Sequence, residues 1–502
     1  MRNEYILLKN NRKENTMGKK RPSLVLNAIL NSINSILSIV FPLITYPYVT
    51  RILQAENLGK VNFASSNIGY FSLIAALGIS SYARREGVLY RDDRRKLNTF
   101  TSELFTLHLI TTAFSVLMLV LACIAVPKFH DYTLLFAIYG STIVFSTLGM
   151  EWLYGVQEDY LYMTARSVIM QVVSLVLMFV LVKKSTDFYI YAAINAFASV
   201  APSIFGLFHS KKYVDLKICK NLKKCFSHLK ACLVFFSSSV ASSIYSSIDT
   251  TMLGFIASDF YVGIYAVAVR IYVMIKTLLG AVTAVMMPRL TSYVANGEKE
   301  EFNKLISAVF KLLWTFLLPV VLGLVLVAKE VVWLISGPGY EGAVSALQIL
   351  SFAIFFAMFA SVINGSILIP HKQEKNALKT TVAAAITNAG LNLAVIPMFL
   401  QNGAAATTVL AECVVMAIGW YYARSLVQLE DMKKTILTSL VGCVAIAAVC
   451  LTVDILPVNL VLRLLLKIAV SVTAYAGTLL ITGNELARKA AKGLFLRKTK
   501  RM

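Results

Sequence analysis

The residues best able to do chemistry are ionisable groups set inside long apolar stretches. Asp249 lies in SSIDTTMLG and Arg270 in VGIYAVAVRIY. The turn between these runs falls near 259–260, so each residue sits about ten positions from it. At ~1.5 Å per helical residue both reach roughly 15 Å of depth, which predicts an ion pair. Such a pair is either a clamp between helices or part of a polar cavity. Lys276 lies six residues beyond Arg270, hence ~120° around the helix from it. The two cannot share a narrow stripe, but both can border a wide water-filled cavity. Ionisable groups in lipid are costly and usually face a cavity or a partner.

A second group is built on Glu412, about ten residues past a turn at 401–402. The matching depth before that turn falls near Asn392, with Asn388 one turn away on the same face. A carboxyl beside two amides can stay protonated and carry a coupling proton, or can simply join the helices. Tyr245, Tyr265 and Tyr272 lie near these charges and offer apolar faces with hydroxyls. Glu103 and Glu151 are near span ends, where interfacial water solvates them. His108 reads as a packing residue. Lys311, Arg463 and Lys467 are placed to snorkel, and the last two, one turn apart, could touch a lipid phosphate. Prolines 42, 47, 202, 288, 319, 370 and 397 lie in or at the ends of spans, a pattern shared by helices broken beside a cavity and by ordinary helix ends.

Motifs for soluble chemistry are absent. There is no GxxxxGK[ST] phosphate loop, no HExxH and no CxxC. Cys219, Cys225 and Cys232 are spaced by six and seven, which suits no zinc pattern and reads as ordinary reduced thiols. No metal site, no cofactor and no catalytic residue is expected, and the chain reads as a non-enzyme.

The elements that must position these residues follow from composition. Of 502 residues, 58% are hydrophobic and only 15% charged, against roughly 25% charged in soluble domains. This excludes a set of soluble domains, a disordered chain and a disulfide scaffold. It predicts an all-α polytopic membrane protein of about fourteen transmembrane helices. The apolar stretches are 23–46, 61–82, 101–126, 132–154, 167–183, 188–209, 231–257, 261–287, 305–328, 344–369, 376–400, 403–423, 435–453 and 458–482. With both termini cytoplasmic, 37 of the 48 Lys and Arg fall in cytoplasmic segments and six outside: Arg51, Lys60, Lys128, Lys183, Lys184 and Lys329. The net charge of +22 is therefore a topology signal rather than a nucleic-acid site. No cleavable signal peptide is visible, and Met17 before Gly-Lys-Lys-Arg is a second candidate start.

Gln157-Glu158 and Gln373-Glu374 repeat at an offset of 216 residues, which suits two six-helix halves. The expected organisation is a basic tail (1–22), an N-terminal lobe (23–225), a pseudo-symmetric C-terminal lobe (226–430), and two further helices with a basic tail (431–502).

The run FPLITYPYVTRILQAENLGKVNFASSNIGYFSLIAALG (41–78) resembles the opening of the Wzx-type polysaccharide flippases of the MATE-like exporter superfamily. The resemblance rests on Pro47-Tyr48, Thr50-Arg51, Gly59, Tyr70-Phe71 and Leu77-Gly78-Ile79. RREGVLYRDDRRKLN (84–98) is similar to the family's first basic loop, and SSIDTTMLG, VGIYAVAVRIY and NAGLNLAVIPMFLQNGAAATTVLAE to its spans 7, 8 and 11–12. The likeness covers roughly 23–425. The loop after Arg51 departs from the family's usual Leu-Gly by reading Ile52-Leu53-Gln54.

The resemblance implies a bacterial inner-membrane protein that moves an undecaprenyl-pyrophosphate-linked oligosaccharide from the cytoplasmic to the outer leaflet. It further implies alternating access and assembly with glycosyltransferases or a polysaccharide polymerase, and leaves open whether H+ or Na+ drives transport. Arg51, Asp249, Arg270, Lys276, Tyr245 and Tyr272 are the candidate cavity residues, and Glu412, Asn388 and Asn392 the candidate coupling residues. The other branch of the superfamily, an antiporter for cationic drugs, needs an acidic intramembrane cluster, and span 1 has no Asp or Glu. If Arg270 and Lys276 hold the anionic headgroup, Arg270→Ala and Lys276→Ala each lower transport at equal expression; unchanged transport in both would remove that role.

Overall fold

The computed structural model describes residues 24–488, so the basic tails at 1–22 and 489–502 lie outside the described residues. Every regular element among them is helical. This is the solution for a backbone with no water to bond to, because a helix satisfies its own N–H and C=O groups. The helices are α1 (Leu24–Ala76), α2 (Ile79–Gly87), α3 (Arg94–Ala125), α4 (Thr133–Gly149), α5 (Glu151–Val156), α6 (Tyr160–Leu181), α7 (Phe188–Ser210) and α8 (Leu222–Ser227). There follow α9 (Leu229–Ile256), α10 (Asp259–Ala284), α11 (Met287–Asn296), α12 (Lys299–Ser336), α13 (Gly342–Val362), α14 (Glu374–Ala423), α15 (Lys433–Asp454) and α16 (Leu460–Ile481). A π-helical segment, Ile363–Leu368, extends α13.

Eleven helices among the described residues are long and apolar enough to cross a membrane, or twelve if a bent pair counts as one span. Two helices are each interrupted at a single residue: α1 at Gln54 (φ 64°) and α14 at Leu400 (φ 52°). The loop expected after Tyr46 is thus absent, and a single non-helical residue, Gln54, kinks the chain in its place. Side chains cap carbonyls at and just before the break. Gln54 Nε2 donates to Arg51 O at 2.9 Å, and Arg51 Nη1 donates to Pro47 O at 2.6 Å.

Several expectations for charged residues are corrected by the packing. α6 starts seven residues before the expected span, so Arg166 is inside a helix rather than in a loop. Its buried guanidinium donates to Glu151 at 2.7 Å and to Pro202 O at 2.8 Å. Lys467 does not snorkel to a lipid phosphate. It is 2% exposed and sits 2.8 Å from both Glu330 and Asp454, tying α16 to α12 and α15. Lys311 reaches Glu430 at 2.7 Å and Glu485 at 3.5 Å instead of free headgroups. Glu103 is held by His228 at 3.0 Å rather than left to interfacial water. His108 is a buried packing residue, as expected, 3.2 Å from Thr147.

α10 packs chiefly on α1, and α9 chiefly on α14. At the α1–α10 seam the backbones touch. A Cβ on Gly59 would fall 1.7 Å from Asp259 O, and one on Gly263 would fall 1.8 Å from Ala55 O. Only glycine permits this approach. Gly280, on the same helix, faces open space. Gly263→Ala is therefore expected to lower Tm by roughly 2 °C or more. Gly280→Ala should leave Tm unchanged or raise it slightly, and equal shifts in a thermal-unfolding assay would contradict the contact.

Candidate functional site

Asp249 lies two turns before the end of α9, and α10 begins three residues beyond that end. The position level with Asp249 on α10 is therefore Tyr265, with Arg270 more than a turn deeper. The expected Asp249–Arg270 ion pair does not form. The Tyr265 hydroxyl donates to Asp249 Oδ2 at 2.9 Å, the Thr408 hydroxyl to the same oxygen at 2.6 Å, and Asn392 Nδ2 to Oδ1 at 2.7 Å. Asn392 Nδ2 also reaches Asn388 Oδ1 at 2.8 Å, and the Thr407 hydroxyl reaches Asn392 Oδ1 at 2.5 Å. Asp249, Asn388 and Asn392 are all buried.

The two asparagines thus serve Asp249, not Glu412 as expected. The break at Leu400 explains this: Asn392 precedes it by the same number of residues as Thr408 follows it, so the two arms of α14 meet at that level. The site gathers carboxylate, amide and hydroxyl oxygens from α9 and both arms of α14. No ion pair forms on Asp249 among the described residues. Such a buried, oxygen-rich site suits a proton or a small hard cation. A further bridge runs to α1, where the Thr251 hydroxyl is 3.0 Å from Ser66 Oγ and 3.2 Å from Tyr70 OH.

Glu412 forms a second centre. Its Oε1 accepts from Lys276 Nζ at 2.8 Å and from the Tyr272 hydroxyl at 2.9 Å, while Lys276 and Tyr272 are 3.1 Å apart. Tyr245 packs on Ala384, Ala411 and Val415 with Glu412 as its main charged neighbour. Tyr265, Tyr272 and Lys276 are spaced by seven and four, so they share one face of α10. Arg270 is on another face. Its guanidinium stands 5.7 Å from the Tyr46 ring of α1, and its buried Nε has no acceptor. Among the described residues no carboxylate pairs with Arg270, which leaves an uncompensated cation inside the bundle.

Arg51 is not brought to either centre. Besides Pro47 O it donates to Leu334 O at 2.7 Å, holding the end of α12. The residues that sequence reasoning missed are Thr407, Thr408 and Tyr46. The threonines were findable by counting equal distances from the α14 break, whereas Tyr46 carries no local signal. The Lys276 side chain keeps 35% exposure, so its pairing with Glu412 is worth less than a fully buried ion pair. A double-mutant cycle of Lys276→Met and Glu412→Gln should give a coupling of about 1 kcal/mol. Simple additivity of the two effects on unfolding would dissolve the pair.

Comparisons with known proteins agree with this architecture. The profile of the family described as "Polysaccharide biosynthesis protein" matches residues 24–294. A "Putative O-antigen transporter" of Escherichia coli (strain K12) is 24% identical over 414 residues, covering 82% of this chain and 99% of the relative. The "Probable low-salt glycan biosynthesis flippase Agl15" of Haloferax volcanii is 25% identical over 211 residues, 42% of this chain and 44% of that one. Among solved structures, "Lipid II flippase MurJ, inward closed conformation" superposes with a TM-score of 0.73 at 16% identity, covering 93% of this chain and 100% of that one. An inward-facing "multidrug resistance MATE family transporter of the MOP superfamily" gives 0.55 at 17% identity, covering 79% and 97%. These two show a shared fold. Since the matched profile spans more than half of the sequence, the chain belongs to the polysaccharide biosynthesis protein family.

Proposed function

We propose that this chain is a flippase for lipid-linked oligosaccharide, carrying an undecaprenyl-pyrophosphate-linked repeat unit from the cytoplasmic to the outer leaflet of a bacterial inner membrane. It is a multi-pass membrane protein and a transporter rather than an enzyme. The observation that carries the reading is Arg270, a cation in mid-bundle with no carboxylate partner, set against the aromatic face of Tyr46. Moving a pyrophosphate and its sugars through hydrocarbon requires replacing their water. A guanidinium forks onto phosphate oxygens, and tyrosines offer apolar faces and hydroxyls to sugar. The family and the printed names of the relatives favour the same cargo.

In this reading the arms on either side of Gln54 and of Leu400 cross separately, giving fourteen crossings with both termini cytoplasmic. The lobes 23–225 and 226–430 rock about the α1–α10 seam, with 431–502 appended. Coupling falls to the two carboxylate centres. Asp249 with Asn388, Asn392 and Thr408 binds the driving H+ or Na+. A proton on Glu412 would remove the charge that holds Lys276 and release the ammonium to substrate phosphate. Tyr245 and Tyr272 frame that exchange, and Arg51 keeps the external end of α12 in register.

Deletion of the gene in its source organism is expected to accumulate completed polyprenol-linked oligosaccharide and to remove surface glycan. The wild-type gene should restore both, and Arg270→Ala should not. Unchanged surface glycan in a strain without a redundant flippase would redirect the reading to small-molecule export. In proteoliposomes, Asp249→Asn should abolish the dependence of transport on an H+ or Na+ gradient; a retained dependence would move the coupling site elsewhere.

A further inference from the structure

The connection between α7, which ends at Ser210, and α9, which begins at Leu229, is pinned along α3 in an ordered way. The backbone N–H groups of Asp215, Lys217 and Cys219 donate to Asn98 at 3.0 Å, Ser102 at 3.4 Å and Thr106 at 2.8 Å. The acceptors are spaced by four on one face of α3, and the donors are alternate residues of an extended segment. Asp215, the one acidic residue of 211–230, is held by Arg94 at 3.2 Å. At the far end His228 bonds Tyr82 at 2.8 Å and Glu103 at 3.0 Å, and Cys225 is buried.

That docking fixes what faces outward. Ile218 of the extended segment is 69% exposed, Leu222 and Phe226 of α8 are 50% and 44%, and Val234 of α9 is 68%. Beside it Lys217, Lys220, Lys223 and Lys224 are exposed and form no ion pair among the described residues. The level is also set. Thr106 lies twelve residues into α3, so Cys219 sits roughly 18 Å along that helix, within the apolar stretch that opens at 101. Exposed isoleucine, leucine and phenylalanine at that level meet acyl chains, and flanking lysines extend their ammonium groups to the phosphate layer.

We propose that residues 216–230 form an interfacial anchor that binds anionic phospholipid of the cytoplasmic leaflet. Lys217, Lys220, Lys223 and Lys224 hold the headgroups, and Ile218, Leu222 and Phe226 sit among the upper acyl carbons. The proposal rests on the cytoplasmic placement of this connection and not on the cargo, so it stands or falls separately from the flippase reading. A polybasic segment beside apolar anchors favours anionic over zwitterionic lipid through several additive charge contacts.

The test uses the full chain in nanodiscs of phosphatidylcholine with or without phosphatidylglycerol. In Phe226→Trp, the added emission relative to wild type should be blue-shifted and quenched by phosphatidylcholine brominated high on its acyl chains. Replacing Lys217, Lys220, Lys223 and Lys224 by Gln should weaken retention of phosphatidylglycerol roughly tenfold or more, with thermal unfolding unchanged. The four Lys→Arg replacements should keep retention. A water-like, unquenched indole, as expected of a face reserved for an acidic protein partner, would overturn the proposal. So would phosphatidylglycerol retention that ignores the Gln replacements.

Discussion

A bilayer interior offers no hydrogen bonds, so each polar group carried into it must be satisfied by the protein itself. This single constraint orders the structure. It makes every regular described element a helix, and it decides how helices can end inside the bundle. At Gln54 the helix is interrupted at one residue, and the Gln54 amide covers the Arg51 carbonyl that the break frees. At Leu400 the reversal brings Asn392 and Thr407 to one level, where they bond each other. Arg166 and Lys467 obey the same rule, each buried and each answered by carboxylates or carbonyls.

Under that constraint, an ionisable group that is not neutralised by a partner stands out. α10 carries both kinds. One face presents Tyr265, Tyr272 and Lys276 to the carboxyl groups of Asp249 and Glu412, forming two hydrogen-bonded centres on α9 and α14. The other turns Arg270 toward Tyr46 of α1, where no acid waits. One helix therefore separates a region in which charges are matched from one in which, among the described residues, a cation has no carboxylate partner. The close backbone contact at Gly59 and Gly263 holds that helix against α1.

The connection after α7 shows the constraint at the membrane surface. Its backbone is satisfied by a ladder of polar side chains on α3, which lets an extended segment descend to the level of the apolar span. Its lysines and its apolar Ile218, Leu222 and Phe226 are left exposed on the other side.

The sequence by itself determined the class of the molecule. A chain with 15% charged residues and long apolar runs can only fold in a membrane, and the apolar runs located its helices, though not all of their ends. The buried ionisable residues were also legible, since an Asp, Glu, Arg or Lys inside an apolar run is conspicuous by its cost. What the sequence could not settle was pairing. Counting from a turn predicted Asp249 with Arg270, but the true turn lies a few residues earlier, and a shift of about one turn exchanges Arg270 for Tyr265. Counting likewise gave Asn392 to Glu412, although both asparagines belong to Asp249. Depth is a one-dimensional quantity, fixed by distance along the chain. Facing depends on which helices become neighbours, and only the tertiary packing of α9 on α14 and of α10 on α1 decided that.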